Sequence, residues 1–216
     1  PAINIANDYA RDVNSLRVAN RTAFRLENGL NFEVGAYAND KSLYHPIFQV
    51  IDQKSIDTGG FGRMSGTYGQ NDFSLGMNIG RGTNNAKRFV NIEGERGALT
   101  SDAKQTAGNI EIYGENRFHL DDQWSVNGGA QATIANREHT DNRNSANNAE
   151  KTYRSFNPKL GVMWEPEPDL QFFSSVTRSS ELPTFAELVQ GAGAGFIPVD
   201  IQKAWTVEAG SRGTRG

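Results

Sequence analysis

Apolar and polar residues alternate with a period of two along most of this chain, which indicates β-strands whose two faces meet different surroundings. In residues 124–134 every second position is apolar or small, and the positions between them are polar or glycine. The same pattern recurs in residues 30–38, 73–79, 110–118, 160–164, 170–176 and 205–209, and more weakly in 16–26 and 61–69. The sequence therefore predicts about nine strands of roughly 9 to 13 residues, near the length of a tilted membrane-spanning strand.

The predicted connections are of two kinds. Tight breaks rich in Asn, Asp, Gly or Pro fall at residues 27–29, 70–72, 121–122 and 165–169. Long polar connections are predicted at residues 40–60, 82–106, 139–152 and 179–201. Because short and long connections alternate, all short ones lie at one end of the sheet, which is typical of an outer-membrane β-barrel with short inner turns and long outer loops. Asn28, Asn71, Asp122 and Glu167 then mark the inner rim.

A half-buried antiparallel sheet in a soluble protein would alternate in the same way. The strand lengths and the Arg, Glu, Gln and Asn residues on the second face favour a barrel with a wet interior. Since single-chain bacterial barrels have even strand numbers, nine strands predict a segment of a larger barrel. The start at Pro1 without an initiator Met, and the end just after a strand pattern, suggest an excised piece.

Composition removes several functional classes. The chain has 216 residues, a net charge of −3, an isoelectric point near 5.7 and no cysteine. Thiolate metal sites, disulfides and cysteine nucleophiles are excluded, and the charge gives no electrostatic footprint for nucleic acid. No apolar run approaches the roughly 18 residues of a transmembrane helix.

Two parts of the chain resemble TonB-dependent outer-membrane receptors. Residues 109–118 and 120–129 look like the recurrent hairpin of that family, with a short acidic turn followed by Trp124. Residues 175–188, with Pro-Thr-Phe before Glu-Leu, and residues 204–210 look like two later strands.

The resemblance implies an all-β, antiparallel transmembrane barrel of 22 strands with an N-terminal plug. Residues 1–216 would be a partial barrel domain that contains neither the plug, nor the box that contacts TonB, nor the terminal aromatic residue. Ser180-Glu181-Leu182-Pro183 departs from the family's haem-receptor motif, which argues against haem.

No catalytic or metal-binding pattern stands out. His45, His119 and His139 are scattered, no Gly-x-Ser-x-Gly elbow is present, and Glu93 with Glu95 is an ordinary charged pair. Residues 191–195 lack the Gly-Lys-Ser/Thr ending of a phosphate loop, and residues 141–144 lack the pattern of a calcium loop. We expect no enzyme activity, no cofactor and no metal site.

Two groups of outer-loop residues are candidates for ligand capture. Tyr44, His45 and Phe48 form an aromatic cluster, and Arg81, Lys87 and Arg88 add cations, with Arg96 and Lys104 beside them. Anionic chelates with planar groups could bind such sets, although solvated or lipopolysaccharide-facing charges are the alternative. Trp124, Trp164 and Trp205 lie at strand ends on the apolar face and are expected in the aromatic girdles of the membrane interface.

The resulting hypothesis is a receptor and transporter segment in the bacterial outer membrane. Its implied partners are the lipid bilayer with lipopolysaccharide, a ferric siderophore or similar scarce ligand, and TonB through the missing plug, with no nucleic acid. Alternatives are a passive porin or adhesin barrel and a soluble all-β module that binds carbohydrate. A soluble module would be monodisperse in plain buffer, whereas a receptor segment would need detergent.

Overall fold

The computed structural model describes residues 8–27, 29–189 and 195–214. Within these ranges the chain is almost entirely β-structure, with a 3₁₀ turn and one short α-helix in two of the connections. Two sequence features lie outside the described residues, namely Asn28 and the glycine-rich stretch at 191–194.

The described residues form nine strands. They are β1 Asp12–Arg25, β2 Asn31–Pro46, β3 Gln49–Tyr68, β4 Asn71–Ile92, β5 Glu95–His119, β6 Trp124–Asp141, β7 Ala149–Glu167, β8 Leu170–Glu181 and β9 Gln202–Gly213. The 3₁₀ turn is Ser145–Asn147 and the helix, α1, is Phe185–Leu188. Each strand pairs antiparallel with the next, in the order β1 to β9, so the sheet is a single meander. This confirms the predicted strand number and topology.

Tight turns join several of the hairpins. Gly69, with φ of +57°, opens the two-residue connection between β3 and β4. Glu93 and Gly94 connect β4 to β5 with φ of +50° and +89°, as a type I′ turn requires at both central positions. Glycine adopts this backbone without a steric cost, whereas Glu93 does not.

The exposure of the two faces of the sheet is opposite to that in a soluble protein, where the apolar face is the buried one. The apolar face, which carries Met77, Ile112 and Ile134 among others, is the more exposed one, and Ile112 remains 57% accessible. Four of the five buried polar side chains in the described residues lie on the opposite face, called here the polar face, and include Thr133, which is only 8% exposed. The exception is Thr106 of β5, which lies on the apolar side of the sheet beyond Ile110. The sheet therefore curls around its polar face and turns its apolar face outward, as a transmembrane barrel does.

The apolar face forms a band of limited height. On β6 it runs from Trp124 to Ile134, and Asn136 and Glu138 follow at the next outward positions. Ten residue steps of about 3.3 Å, at the usual strand tilt, give a band of about 25 Å, which matches the hydrocarbon thickness that outer-membrane barrels span.

Aromatic rings line the end of this band that lies nearest the β5–β6 and β7–β8 turns. Trp124 stacks on Trp164 with ring centroids 5.5 Å apart, and Trp164 stacks on Phe172 at 5.4 Å, across three neighbouring strands. Trp205 lies at the other end of the band on β9, opposite Arg178.

Glycines on the polar face accommodate aromatic rings from the neighbouring strand. Tyr113 lies over its cross-strand partner Gly76, and Tyr37 lies over Gly59, where an added Cβ would meet the ring at 2.6 Å. Phe61 covers Gly35 and Phe173 covers Gly210 in the same manner, each again a direct register pair. The rings therefore lie flat against the wall instead of projecting into the interior.

Two of the four predicted long loops are wrong. Residues 40–60 contain the ends of β2 and β3 joined at Ile47 and Phe48, and residues 82–106 contain β4 and β5 joined at Glu93 and Gly94. The strands are accordingly longer than predicted, with 22 residues in β4 and 25 in β5. The connections β6–β7 and β8–β9 do contain loops, at residues 142–148 and in the described parts of the second connection, 182–189 and 195–201.

Candidate functional site

The polar face carries charged side chains that pair across strands. Glu33 on β2 accepts a hydrogen bond from Arg21 on β1 at 2.6 Å and a second from Arg63 on β3 at 3.2 Å. Glu115 and Lys159 form an ion pair between β5 and β7, above the intervening strand. Such pairs hold charge in fixed positions along an interior that water can fill.

Several grooves lie on this face. One, of about 880 Å³, extends from β4 to β9 in the half nearest the β5–β6 and β7–β8 turns. Its lining mixes both signs of charge with hydroxyls and amides: Glu115, Arg117, Asn127, Lys159, Ser175 and Arg212. The second, of about 760 Å³, lies over β1 to β5 beside Arg17, Tyr37 and Asp57. This face can therefore accept a polar small molecule or a polar protein surface.

The β8–β9 connection folds back against the polar face beyond the apolar band. Leu188 of α1 is fully buried and packs in a cluster with Ala135 of β6 and Tyr153 of β7. Thr184 and Glu187 form a capping box at the helix start, and these hydrogen bonds lower the pKa of Glu187. The short helix thus presents its apolar residues to the sheet.

Polar contacts hold the rest of this connection. Lys151 of β7 donates to the carbonyls of Pro198 and Val199 at 3.0 and 3.1 Å and pairs with Asp200 at 3.0 Å. Arg137, which is 7% exposed, donates from Nε to the carbonyl of Pro183 at 3.2 Å. The connection is therefore fixed over the polar face at one end of the sheet. Alternation places these contact residues on one face, but nothing local in the sequence identifies what they contact.

A buried histidine lies on the same face. His139 is 3% exposed, and its Nδ1 has no hydrogen-bond partner among the described residues. Burial lowers the pKa of His139, while the nearby Asp141 carboxylate acts in the opposite direction. The imidazole is therefore held neutral at ordinary pH.

Asp141 organises the β6–β7 loop. Its carboxylate accepts hydrogen bonds from Asn147 Nδ2 at 2.8 Å and from the backbone amides of Arg143 and Asn144 at 2.8 and 3.1 Å. The Asn147 side chain, followed by these amides, lowers the pKa of Asp141 against the effect of burial. This stretch is a turn closed by its own side chains.

The six predicted ligand residues do not form one cluster. Tyr44 and His45 lie in β2, while Arg81, Lys87 and Arg88 lie in β4, so their predicted position in loops is wrong. The exception is Phe48, which lies in the β2–β3 turn and is 74% exposed. Successive side chains of a strand point to opposite faces of the sheet. The predicted ligand residues that lie in strands are therefore divided between the two faces.

The residues divide as follows. His45 and Arg88 lie on the polar face, where both are neighbours of Ile51 in the register. Tyr44, Arg81 and Lys87 lie on the outward face, and Lys87 pairs with Asp102 at 3.7 Å. A single ligand could not contact all of them from one side of the sheet.

Tyr44 belongs to a packed outward cluster beyond the band. Its hydroxyl donates to the carbonyl of Gly94 at 2.7 Å, and the Arg96 guanidinium lies 4.7 Å from the ring centroid. Arg96 also pairs with Asp52 at 2.8 Å. Burial and then the charge of Glu95 raise the pKa of Tyr44. These contacts tie the β2–β3 hairpin to the β4–β5 hairpin.

Two other features are absent from the described part of the chain, a metal-binding cluster and a membrane-crossing helix. In residues 8–27, 29–189 and 195–214, no group of three or more His, Asp or Glu side chains could hold a metal ion. None of the helical segments in those ranges is long and apolar enough to cross a membrane.

Comparison with protein families assigns the chain. The family described as TonB dependent receptor-like, beta-barrel matches residues 3–216. The chain belongs to this family. TonB-dependent receptor barrels are outer-membrane receptors and transporters, which agrees with the outward apolar band and the polar interior.

Solved structures of three transport proteins share the fold. The copper transporter OprC matches with a TM-score of 0.77 and 11% identity, over 98% of this chain and 38% of its own. The ferric-catecholate import receptor Fiu from E. coli K12, closed form, matches with a TM-score of 0.74 and 12% identity, over 94% and 38%. The ferric citrate transporter FecA, unliganded, matches with a TM-score of 0.71 and 13% identity, over 94% and 32%.

At these identities the likeness establishes the fold alone. The TonB-dependent receptor chain described here spans about a third of the length of those structures. A search of curated proteins found no match.

Proposed function

We propose that this chain is part of the barrel domain of an outer-membrane receptor that imports a scarce ligand, and that it acts as a transporter and not as an enzyme. Residues 1–216 would supply wall strands of a larger barrel, with a plug and the remaining strands supplied elsewhere in the complete receptor. The plug would relay energy from TonB to the ligand held above it.

The observation that carries this proposal is the reversed exposure of the two faces. A sheet that leaves Ile112 and Val207 open on one side and buries Arg137 on the other is suited to lipid outside and water inside. A soluble carbohydrate-binding module would bury the apolar face instead. The apolar band of about 25 Å supports a position in the bacterial outer membrane.

For the cargo we propose a ferric siderophore or a similar iron chelate. The titles of Fiu and FecA name iron chelates, whereas that of OprC names copper, so the fold leaves the metal open. Iron chelates are often anionic, and the polar face offers Arg17 and Arg25 with no side-chain partner among the described residues. These two arginines could attract such a ligand as it passes along the wall.

Uptake by cells tests this proposal. Cells that carry or lack the receptor are given ⁵⁵Fe-loaded siderophores, ⁶⁴Cu and a small neutral sugar, with and without a protonophore. Receptor-dependent, protonophore-sensitive uptake of an iron chelate supports the proposal. Protonophore-sensitive uptake of copper alone would show that the cargo is copper and not an iron chelate. Uptake of the sugar that the protonophore does not change would indicate a passive porin. Recovery of the protein in the soluble fraction would contradict the membrane location.

A further inference from the structure

An apolar patch interrupts the polar face at the end of the sheet that carries the β2–β3 and β4–β5 turns. Val13 of β1 is the register partner of Leu43 of β2, and Ile51 of β3 and Val90 of β4 continue the row as diagonal neighbours. These four residues are called here the inner apolar patch. Val13 and Val90 are nearly half-exposed. The patch lies beyond the apolar band, on the face that meets water, so lipid does not account for it.

The patch lies apart from the part of this end that the β8–β9 connection covers. The described residues of that connection pack on β6 and β7 through Leu188, and Arg137 and Lys151 hold them there. The inner apolar patch lies on β1 to β4 instead. Among the described residues, the polar face therefore has a covered part and an open part at this end, and the exposed apolar side chains are in the open part.

A charged groove lies directly below the patch on the same strands. It is the groove of about 760 Å³ over β1 to β5, whose volume suits part of a small molecule. Gly80 and Gly82 of β4 recess its wall, and the Asp57 carboxylate occupies the space that a Cβ on Gly82 would need. Arg17 lines the groove four residues along β1 from Val13, so about 13 Å of strand separates the groove from the patch.

Cations outnumber carboxylates along this path. Arg17 lies in the groove, Lys41 lies between the groove and the patch on β2, and Arg88 is the register partner of Ile51. None of these three cations forms a side-chain hydrogen bond or ion pair with any residue in the described ranges. In the described strands β1 to β4, Asp57 is the only carboxylate on the polar face between the groove and the patch. The path therefore attracts a negatively charged group.

The groove and the patch together match a ligand with a charged head and an apolar tail. A negatively charged head in the groove would meet Arg17, with the Tyr37 hydroxyl and the Asn39 amide as neutral donors. Each methylene group of a tail that leaves water on the patch strengthens binding about fourfold. We infer that the receptor binds a water-borne anionic amphiphile on this face, with its head in the groove and its acyl tail on the inner apolar patch. The inference rests on the proposed function and narrows its cargo to an acylated anionic chelate.

The dependence of binding on tail length and head charge tests the inference. The complete receptor, as its cell produces it, is reconstituted in lipid nanodiscs. Equilibrium dialysis measures the binding of radiolabelled N-dodecanoyl-aspartate and N-acetyl-aspartate, which share an anionic head, and the binding to empty nanodiscs is subtracted. Dodecyltrimethylammonium provides a tail of similar length with a cationic head.

Two variants and a matched control accompany the wild type. The tail variant carries Leu43→Thr and Ile51→Thr, which remove apolar surface and keep a side chain suited to a strand. The matched control carries Leu99→Thr and Ile197→Thr, the same two changes at exposed residues outside the patch. The head variant carries Arg17→Gln and Lys41→Gln, which remove two charges and keep the apolar stems.

The wild type and the matched control should bind the dodecanoyl probe at least about tenfold more tightly than the acetyl probe and the ammonium probe. The tail variant should lose most of the preference for the long tail, and the head variant most of the preference for the anionic head. Absence of a tail preference in the wild type would show that another part of the receptor covers the patch, and would overturn the inference. An undiminished tail preference in a folded tail variant would overturn it as well.

A photoreactive probe keeps the test decisive if a variant does not fold. N-dodecanoyl-aspartate with a diazirine at the end of its tail is irradiated on the wild type, and mass spectrometry of the peptides locates the labelled residues. Labels on the inner apolar patch support the inference, whereas labels confined to the outward apolar face would show that the tail only dissolves in the bilayer. Uptake of an iron chelate without any tail preference would overturn this inference alone. A tail preference without receptor-dependent uptake of any chelate would contradict the proposed function alone.

Discussion

Replacing Met77 with lysine tests whether the apolar face of the sheet borders lipid or water. Met77 lies midway up the apolar band on β4, with Ile112 beside it on β5, and 46% of its surface is exposed. Methionine and lysine have unbranched side chains of similar length, so the substitution mainly adds a charge. In a bilayer, a lysine at the midplane of the lipid face costs about 2–4 kcal/mol. If this face bordered water instead, with Met77 as exposed as it is in this structure, the same change would stay within about 0.5 kcal/mol.

Asn78 provides the matched control. It is the next residue along β4, faces the polar side, and donates a hydrogen bond to Glu111 at 2.7 Å. A lysine at this position would pair with Glu111, and we expect a change within about 1 kcal/mol. The free energy of unfolding in lipid vesicles is measured by urea titration with tryptophan fluorescence. A Met77→Lys protein as stable as the wild type would refute the lipid-facing assignment, and so would an equal loss in Asn78→Lys.

Three further predictions concern the polar face and the aromatic row. Gly76→Ala should lower the free energy of unfolding by about 1–3 kcal/mol because its Cβ would overlap the Tyr113 ring, whereas Gly128→Ala, with open space around it, should not destabilise the protein. The free energy of unfolding should fall as the pH drops below about 6.5, because the unfolded chain binds a proton at His139 before the folded chain does. Unfolding titrations between pH 8 and 5 should show a smaller dependence of this free energy on pH in His139→Gln than in the wild type. Parallel pH dependences in the two proteins would contradict this. Trp164→Ala removes two ring stacks and should cost about 1–3 kcal/mol by the same titration, and a loss no larger than that of an ordinary surface substitution would show that the stacks contribute little.

The part of the fold that borders lipid could be predicted from the sequence because lipid and water impose opposite demands on its two faces. Residues 124–134 show the contrast most clearly and lie entirely in β6. Beyond the band both faces meet water, so the contrast disappears. Residues 82–88, with two asparagines and two basic residues, are polar at neighbouring positions and thus have the composition of a loop, although they are paired strand. Composition alone does not distinguish a hairpin that is exposed to water on both faces from a loop.

The candidate site was less predictable for a related reason. The prediction grouped Tyr44 with His45, and Lys87 with Arg88, because they are adjacent in sequence. Once these segments are strands, adjacency means opposite faces. The contacts of Lys151 with residues near Val199 depend on how the β8–β9 connection folds back, which no local pattern records.

The length of the β4–β5 hairpin limits how this wall can change in evolution. A loop accepts an inserted residue almost anywhere, but one residue added within a paired strand turns every later side chain to the opposite face unless a bulge absorbs it. In β4 and β5 the register shifts occur only beyond Arg88, close to the Glu93–Gly94 turn, where few side chains follow. Below that point the wall can lengthen or shorten only by matched changes in both strands. The height of the wall can therefore change in evolution only by whole cross-strand residue pairs, whereas its outward residues can be substituted one at a time.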